Sequence, residues 1–336
     1  MDKVLITGGA GYIGSHCALA LLKEGYKVVI FDNLSTGHIE FIETLKEYGD
    51  LTFYKVDLSN EESLKDAFDK CGKVDSVIHL AAFSQVGESV KYPEKYYMNN
   101  VTGSANLFKQ MVNFDIKKLV FSSTASVYGN PISIPITEEH SKEPINPYGE
   151  TKLSVEQILK EYDIEYGLKS VKLRYFNVAG ANSEGIIGEW HEPETHLIPN
   201  ILNSVKNGEF CIFGDDYDTK DGTCIRDYIN IDDIVNAHIK ALNYLQNGGT
   251  SQEINLGTNQ GSSVKEVLAL CEKVTGEHIQ VKIVKRRDGD PAILVADNKK
   301  AKEILGWVPQ KSLENSIETA YLWMKKLSDI NLNCKE

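Results

Sequence analysis

Residues 4–14 read VLITGGAGYIG, a short apolar run that leads into a glycine-rich turn. The stretch from Gly9 to Gly14 matches the pattern G-x-G-x-x-G, and apolar residues at helical spacing follow it. A second apolar run, residues 27–31, ends at Asp32, which lies 18 residues beyond Gly14. A strand, a glycine turn, a helix and an acidic residue at the end of the next strand together predict a dinucleotide-binding unit.

The residues of this unit also indicate which dinucleotide it takes. Glycines allow the backbone to approach a pyrophosphate, which the positive N-terminal end of the following helix attracts. The Asp32 carboxylate is suited to accept hydrogen bonds from ribose hydroxyls, and its charge repels a 2′-phosphate, so NAD is favoured over NADP. Asp57 and Leu58 follow the third apolar run and could meet the adenine, although Asp57 is equally well explained as a helix cap.

Apolar runs and helical patterns alternate through the first half of the chain. Further apolar runs lie at 51–56, 77–81, 119–123 and 171–175, and helices fit at about 60–70, at 94–113 and after 146. Strands that are apolar throughout and separated by helices predict an α/β fold with a doubly wound parallel sheet. Ligands bind such a sheet at the carboxyl ends of its strands.

The pattern changes past about residue 177. Residues 177–195 are rich in Gly, Asn, Glu and Pro, which is typical of a long functional loop. The elements that follow are shorter, with helices near 196–206, 231–246, 263–275, 297–305 and 312–327, and strands near 210–213 and 252–256. We therefore expect a dinucleotide-binding domain of residues 1–176, rejoined by about 229–248, and a smaller second domain of residues 177–228 and 249–330.

Tyr148 and Lys152 place a phenol and an ammonium one helical turn apart on the same helix face. A Ser/Thr cluster, residues 122–124, lies upstream at the end of the fifth apolar run. An ammonium beside a phenol favours the phenolate, so we expect Tyr148 to exchange a proton with an alcohol hydroxyl near neutral pH. With a nicotinamide cofactor this pair predicts reversible oxidation of a secondary alcohol. The same spacing at Tyr321 and Lys325 has no strand or Ser/Thr cluster before it and indicates only a packed helix.

Composition limits the remaining functions. The 336 residues are 42% hydrophobic and 25% charged, as in ordinary globular proteins, and the formal net charge of −12 disfavours nucleic acid and anionic membranes as general partners. No signal peptide or bilayer-spanning apolar run is visible, and the six Cys contain no C-x-x-C, so we expect a reduced, cytoplasmic location. The eight His are dispersed and predict no metal site; His79, at the end of an apolar run, is expected in the core.

Several motifs together resemble the extended short-chain dehydrogenase/reductase family. The general marks are residues 8–14, 32–34, 79–82, 99–101 and 122–124, and the pair Tyr148 and Lys152. Closer marks, similar to family members that act on UDP-hexoses, are residues 86–89, 175–180, 193–199, 221–228 and 286–291. The resemblance extends from the first strand to near residue 310. It implies a Rossmann-type NAD-binding domain and a smaller α+β substrate-binding domain.

The activity that this resemblance implies is reversible 4-epimerisation of UDP-glucose and UDP-galactose through a transient 4-keto sugar. Tyr148 would take the proton of the sugar 4-hydroxyl, and Thr124 would hydrogen-bond the same oxygen. Lys152 would stabilise the phenolate and hold the nicotinamide ribose. The cofactor contacts that the family implies are Gly8, Gly11, Tyr12, Ile13, Gly14, Asp32, Asn33, Asp57, Leu58, Ala81, Asn99, Ser122, Tyr148, Lys152 and Tyr175.

Substrate recognition is expected to centre on the UDP, because the nucleotide must stay fixed while the sugar turns. Arg226 and Arg287 suit a diphosphate, since a guanidinium pairs bidentately with phosphate oxygens, although a surface ion pair explains either one equally well. The other implied substrate contacts are Thr124, Tyr148, Asn177, Leu197, Phe213, Tyr228, Asp290 and Leu294. Tyr228 is as readily a core aromatic, and the intermediate size of Leu294 leaves activity on UDP-N-acetyl sugars open.

Two alternatives share these motifs. One is a net oxidoreductase or decarboxylase on a nucleotide sugar, and the other is an NAD-binding sensor without turnover. The set of Thr124, Tyr148 and Lys152 argues against the sensor, which needs no proton acceptor. Related nucleotide-sugar dehydratases carry an Asp-Glu pair after the Thr, whereas Ala125 and Ser126 stand here and cannot serve as that acid and base.

The resemblance also implies a homodimer. Its interface would be a four-helix arrangement built from the helices at about 94–113 and 148–166 of each copy. Neither a nucleic acid nor a membrane is expected as a partner.

Overall fold

The computed structural model describes residues 2–286 and 291–333 of the chain. Its strands are β1 (Lys3–Thr7), β2 (Lys27–Asp32), β3 (Leu51–Lys55), β4 (Ser76–His79), β5 (Lys118–Ser122), β6 (Lys169–Tyr175), β7 (Asn177–Ala179), β8 (Glu209–Phe213), β9 (Ile225–Arg226), β10 (Tyr228–Asn230), β11 (Gln252–Leu256), β12 (Ser262–Ser263), β13 (Gln280–Val284) and β14 (Ile293–Leu294). Its α-helices are α1 (Tyr12–Lys23), α2 (Ile39–Leu45), α3 (Glu61–Cys71), α4 (Val86–Lys91), α5 (Pro93–Tyr96), α6 (Gly103–Asn113), α7 (Pro147–Tyr166), α8 (Leu197–Asn207), α9 (Ile231–Gln246), α10 (Val264–Thr275), α11 (Lys299–Leu305) and α12 (Leu313–Asn333). A π-helical turn, Tyr97–Thr102, joins α5 to α6, and short 3₁₀ turns occupy Lys46–Tyr48 and Ala125–Tyr128.

Seven strands form the main sheet in the order β11-β6-β5-β4-β1-β2-β3, with every neighbouring pair parallel. The doubly wound sheet predicted from the alternating patterns is confirmed. Helices cover both faces, which is why the inner strands are apolar at successive positions. Val4 and Ile6 pack into the core on the α1 and α9 side, and Leu5 packs into the core on the α3, α6 and α7 side.

One strand corrects the predicted division of the chain. The segment 249–330 was expected to belong wholly to the second domain, but β11 pairs with β6 and forms an edge of the main sheet. Its sequence QEINL lacks the continuous apolar run of the inner strands because an edge strand has one strand neighbour and polar partners. Glu253 pairs with Lys172, and the Asn255 amide oxygen accepts a hydrogen bond from the Tyr128 hydroxyl. The other boundaries remain predictions.

A smaller lobe follows β7. Its helices α8, α10 and α12 enclose a separate apolar core that includes Ile201, Val267 and Ile317. Short strands complete it: β8 pairs with β13, β9 lies between β12 and β14, and β10 pairs with β7.

The carboxyl ends of the main-sheet strands meet at one edge, which positions the site. Gly8 follows β1, Asp32 is the last residue of β2, and Ser122 is the last residue of β5. Asn177 lies two residues beyond the end of β6 and is the first residue of β7. His79, at the end of β4, is buried as predicted. Its Nδ1 atom shares a hydrogen bond with the Thr7 hydroxyl oxygen, which lies 2.6 Å away. Within the described ranges, we find no helix whose length and hydropathy would allow it to cross a membrane.

Candidate active site

The glycine turn between β1 and α1 is closed so tightly that side chains are excluded. Gly8 has a φ of +73°, and a Cβ there would lie 2.6 Å from the Ala81 backbone nitrogen. A Cβ on Gly14 would overlap the Gly8 carbonyl oxygen, because α1 begins against the turn. No side chain caps the start of α1 at Gly11, so backbone N–H groups are available there to an anion. The turn therefore fits the pyrophosphate of a dinucleotide.

Asp32 stands at the end of β2 beside this turn. Its carboxylate accepts hydrogen bonds from the backbone nitrogens of Ala10, at 3.0 Å, and Leu34, at 2.8 Å. Burial raises the pKa of Asp32, and these two hydrogen bonds offset part of the effect. The side chain is thus fixed in place and keeps lone pairs on both oxygens for ribose hydroxyls.

A second acidic residue lies close by on the next loop. The Asp57 carboxylate accepts hydrogen bonds from the Asn33 amide at 3.2 Å and from the Ser59 backbone nitrogen at 2.8 Å. Burial raises the pKa of Asp57, but the hydrogen bonds from Ser59 and Asn33 lower it more. The residue that caps α3 is Asn60 and not Asp57. Asp57 therefore does not cap α3. Its carboxylate belongs to the turn that precedes this helix.

The Tyr and Lys that the spacing singled out share the first turns of α7. Asn146 caps this helix by accepting the Gly149 backbone N–H at 2.9 Å, and Pro147 occupies its first position. Tyr148 and Lys152 are both buried at the carboxyl edge of the sheet. The Lys152 ammonium donates to the Ser122 carbonyl oxygen at 2.8 Å and lies 6.0 Å from the centre of the Tyr148 ring.

Burial of Tyr148 opposes the lowering of its pKa that the neighbouring lysine predicts. Burial raises the pKa of Tyr148 to about 12, and the hydrogen bond with Thr124 offsets only part of the rise. Burial lowers the pKa of Lys152 to about 7, against the opposing charge of Glu156. The spacing of the two residues indicates that they are close enough to interact. It does not indicate that both groups are removed from water.

Buried polar side chains that the sequence did not predict fix the helix that carries this pair. Glu156, one turn after Lys152, accepts hydrogen bonds from the Ser123 hydroxyl at 2.6 Å and from Arg174 Nε at 2.9 Å. Arg174 also donates to the Tyr128 hydroxyl at 2.9 Å. The pair of Glu156 and Arg174 is buried and ties α7 to β6, so it positions the helix that carries Tyr148.

The other expected cofactor contacts follow the same edge of the sheet. Ser122 and Tyr175 share a hydrogen bond between their hydroxyl groups, and Ala81 lies against Gly8. Leu58 is buried at the end of its loop. Asn99 lies in the π-helical turn and donates to the Asn100 amide oxygen at 2.9 Å. Tyr12 and Ile13 open α1, and the Tyr12 hydroxyl donates to the Gly180 carbonyl oxygen at 2.5 Å.

Four of the expected substrate contacts come together on short strands. Asn177 is the register partner of Tyr228, and Arg226 is the register partner of Leu294. The backbone nitrogen of Asn177 donates to the carbonyl oxygen of Asp227, which joins the two pairs. Leu294 packs against a small buried group of Val127, Tyr128 and Ile136, which Leu153 and Phe176 also contact. Since Leu153 follows Lys152, this group adjoins the Tyr148 helix.

Two of the remaining expected contacts lie on other elements of the smaller lobe, and two lie outside the described residues. Leu197 begins α8, and Phe213 ends β8 with 41% of its surface exposed. Both stand on elements of the smaller lobe, separate from the strands that hold Arg226. Arg287 and Asp290 lie outside the described residues.

The doubly wound sheet, its glycine turn and the Tyr and Lys on the helix after β5 define an enzyme of the extended short-chain dehydrogenase/reductase class. Comparison with known proteins agrees. A family model described as GDP-mannose 4,6 dehydratase matches residues 5–320. The UDP-glucose 4-epimerase of Halalkalibacterium halodurans is 49% identical over 326 residues, covering 96% of each chain.

Solved structures agree as closely. One UDP-glucose 4-epimerase superposes with a TM-score of 0.93 at 46% identity, covering 98% of this chain and 99% of that one. The enzyme from Bifidobacterium longum, solved in complex with NAD⁺ and UDP, has a TM-score of 0.91 at 36% identity, covering 98% and 99%. The chain belongs to the UDP-glucose 4-epimerase family.

Proposed function

We propose that this protein catalyses the NAD-dependent, reversible 4-epimerisation of UDP-glucose and UDP-galactose. The observation that carries the proposal is the arrangement of Thr124, Tyr148 and Lys152 at the sheet edge, next to a glycine turn that fits a dinucleotide. Membership of the UDP-glucose 4-epimerase family supports the same activity.

The chain's own groups manage the proton of the sugar 4-hydroxyl. Bound NAD supplies the matching redox chemistry, by taking a hydride from C4 and returning it. Tyr148 accepts the hydroxyl proton and later gives it back, and the Thr124 hydrogen bond makes its phenolate easier to form. Lys152 is held by the Ser122 carbonyl oxygen in a position to bind the nicotinamide ribose and to stabilise negative charge nearby.

Cofactor retention is proposed to rest on three groups of residues. The turn of Gly8, Gly11 and Gly14 and the start of α1 hold the pyrophosphate through backbone N–H groups. Asp32 holds the adenosine ribose, with Asn33, Asp57 and Leu58 around the adenine. On the nicotinamide side are proposed Ala81 after β4, Asn99 of the π-helical turn, and Ser122 and Tyr175 at the ends of β5 and β6.

The sugar must turn its other face to Tyr148 between the two half-reactions, so the binding energy belongs on the nucleotide. Arg226 is buried beside Leu294 and Asn177 and is suited to a diphosphate, which a guanidinium binds bidentately. Tyr228, Leu197 and Phe213 are proposed to line the nucleotide side of the smaller lobe. Arg287 and Asp290 are proposed to contact the diphosphate and the uridine ribose.

Dehydration, the reaction in the family model's description, is disfavoured by the residues after Thr124. Ala125 has no ionisable group, and Ser126 donates its backbone N–H to the Thr124 hydroxyl at 3.2 Å within a 3₁₀ turn. Elimination between C5 and C6 of the sugar requires a general acid and a general base. The methyl group of Ala125 and the hydroxyl of Ser126 cannot serve in those roles.

The protein is further proposed to act as a homodimer through the helical segments 93–113 and 147–166. Large apolar side chains are exposed on both segments, with Met98 at 58% and Ile164 at 71% of their surface. Pairing these faces between two copies would remove them from water. Light scattering on Met98→Asp tests this, since the charge should shift a dimer toward monomer; an unchanged mass would contradict the interface.

One incubation tests the activity against both alternatives. Purified protein is given UDP-galactose without added NAD, and both the product sugar and the absorbance of reduced nicotinamide are followed. UDP-glucose formed without accumulating NADH supports the epimerase. A steady gain of NADH would instead indicate a net oxidoreductase or decarboxylase, and the absence of turnover would indicate a sensor.

A further inference from the structure

Four potential metal ligands converge in one eight-residue segment that the proposed reaction does not use. Glu189, His191, Glu194 and His196 each offer one ligand atom, and these atoms all lie within 4.8 Å of one another. The segment connects the loop after β7 to the start of α8. The eight His are spread along the chain and so predicted no metal site, but His191 and His196 lie only five residues apart with carboxylates in the same segment.

The four side chains of this cluster form close contacts between their imidazole nitrogens and carboxylate oxygens. Glu189 Oε1 lies 2.7 Å from His196 Nδ1 and 3.3 Å from His191 Nδ1. These distances allow charge attraction, yet Glu189 Oε1 and His191 Nδ1 are buried atoms without a hydrogen-bond partner among the described residues. The Glu189 side chain is only 5% exposed. A buried carboxylate oxygen without a hydrogen-bond partner destabilises the folded state unless a ligand such as a cation binds it.

The donor set and charge indicate what that ligand is. Two imidazole nitrogens and two carboxylate oxygens suit a divalent transition metal such as Zn²⁺, whereas Mg²⁺ and Ca²⁺ prefer oxygen ligands alone. Two carboxylates neutralise the charge of a divalent ion in a half-buried site. Tetrahedral bonds of about 2.0–2.2 Å separate neighbouring ligand atoms by about 3.4 Å, so only small side-chain shifts are needed.

We propose that Glu189, His191, Glu194 and His196 form a four-ligand structural site for Zn²⁺ or a related divalent transition metal. Four protein ligands leave no open position, so the ion fastens the segment and performs no chemistry. The partial exposure of His191 and His196, 24% and 44%, gives the ion a path of entry.

The position of the segment shows what the ion would fasten. The His191 ring meets the Tyr12 ring edge-on, with centroids 6.2 Å apart, and Trp190 stacks on His38 at 3.8 Å. The His38 backbone nitrogen donates to the Ala10 carbonyl oxygen at 2.9 Å. The site thus joins the loop of the smaller lobe to the glycine turn of the main sheet.

A cluster held only by ion pairs is the competing explanation. Burial lowers the pKa of both imidazoles, but their contacts with the Glu189 and Glu194 carboxylates raise it more, to about 9 for His191 and about 10 for His196. Both explanations therefore use the same residues. They differ in whether a metal ion binds in stoichiometric amount.

The test uses the full chain without a purification tag, stripped of metal with a strong chelator. Titration with Zn²⁺, followed by calorimetry, should give one site per chain and a rise in Tm that Mg²⁺ does not produce. Glu189→Gln and His196→Asn should each weaken Zn²⁺ binding by at least about 10–100-fold. Glu192→Gln is the matched control and should leave Zn²⁺ binding unchanged. Glu192 lies in the same segment, but its carboxylate accepts a hydrogen bond from the Trp190 indole nitrogen at 3.1 Å.

A second measurement keeps the proposal testable if a variant fails to fold. Co²⁺ added to the unmodified chain should give the intense visible absorption of a tetrahedral ion. Weak octahedral bands, an absence of saturable Zn²⁺ binding, or an affinity that both ligand variants retain would each overturn the proposal.

Discussion

The Lys152 ammonium donates a hydrogen bond to the carbonyl oxygen of Ser122 at 2.8 Å. This contact anchors a buried lysine to the last residue of β5 and directs its charge along the sheet edge, where a cofactor ribose is proposed to bind. Lys152 is thus held by the strand, and Tyr148 by its hydrogen bond with Thr124. The two groups act on one site without bonding to each other.

Removing the Tyr148 hydroxyl should separate chemistry from binding. In Tyr148→Phe the ring still packs, so we expect unchanged folding and bound NAD, but a fall in turnover of about 10²–10⁴-fold, the usual loss of a general acid–base group. Turnover is measured with UDP-galactose. Tyr321→Phe is the control, because Tyr321 has the same spacing to an exposed lysine, Lys325, and should keep its rate. A near-normal rate for Tyr148→Phe would rule it out as the base.

Lys152 should make stability depend on pH in a defined direction. Burial lowers its folded pKa to about 7 from an unfolded value of 10.5, so between these values the unfolded chain binds more protons and stability rises with pH. Relative to Lys152→Met, the unmodified chain should gain about 2 kcal/mol between pH 7 and 9. Urea unfolding of both at each pH measures the difference. Parallel pH profiles would show that Lys152 stays charged when buried.

Sequence alone predicted the parts of the fold that local patterns encode. The glycine turn, Asp32 and the inner strands each have a signal within a few residues, because tight turns and doubly covered strands restrict composition directly. A strand was also predicted near 252–256, but the polar residues of QEINL did not indicate that β11 joins the main sheet, since an edge position permits them.

Partners that meet only after folding could not be predicted. Arg174 lies in a strand whose neighbouring residues do not indicate that it would meet Glu156, 18 residues earlier. The effect of burial on the Tyr148 pKa could not be predicted for the same reason, because the spacing indicates a neighbouring charge but not the depth of burial. The cluster around Glu189 depends on how a loop folds back on itself.

A methyl group at position 14 should damage the cofactor turn. Gly14→Ala places a carbon against the Gly8 carbonyl oxygen, which is backbone and cannot yield easily. We expect a loss of about 1–3 kcal/mol from overpacking and a lower content of bound NAD. Gly87→Ala is the matched control, since a Cβ there meets nothing within 4 Å. Equal NAD content in the two purified variants would contradict the role given to Gly14.

Breaking the buried ion pair should cost far more than breaking an exposed one. Arg174→Met leaves the Glu156 carboxylate without its charged partner, and we expect a loss of about 3–5 kcal/mol in the free energy of unfolding. The exposed pair of Lys65 and Asp69, at 2.7 Å, provides the control, since Lys65→Met should leave the free energy of unfolding almost unchanged. Adding Glu156→Gln to Arg174→Met should restore part of the loss. Similar losses in the two single variants would show that the pair does not hold α7 to β6.

Leu294 should set the tolerance of the hexose pocket. Leu294 and Leu153 of the Tyr148 helix pack against the same buried cluster, and Leu294 is the register partner of Arg226, so we place it between the proposed catalytic and diphosphate groups. Leu294→Tyr should fill space that an N-acetyl group needs, and Leu294→Gly should open it. The ratio of kcat/KM for UDP-N-acetylglucosamine to that for UDP-glucose should therefore fall in the first variant and rise in the second. A shift of about 10-fold in each direction corresponds to about 1.4 kcal/mol of discrimination, which is within the range of one or two methylene groups in a pocket. If both variants change the two substrates equally, Leu294 does not border the sugar.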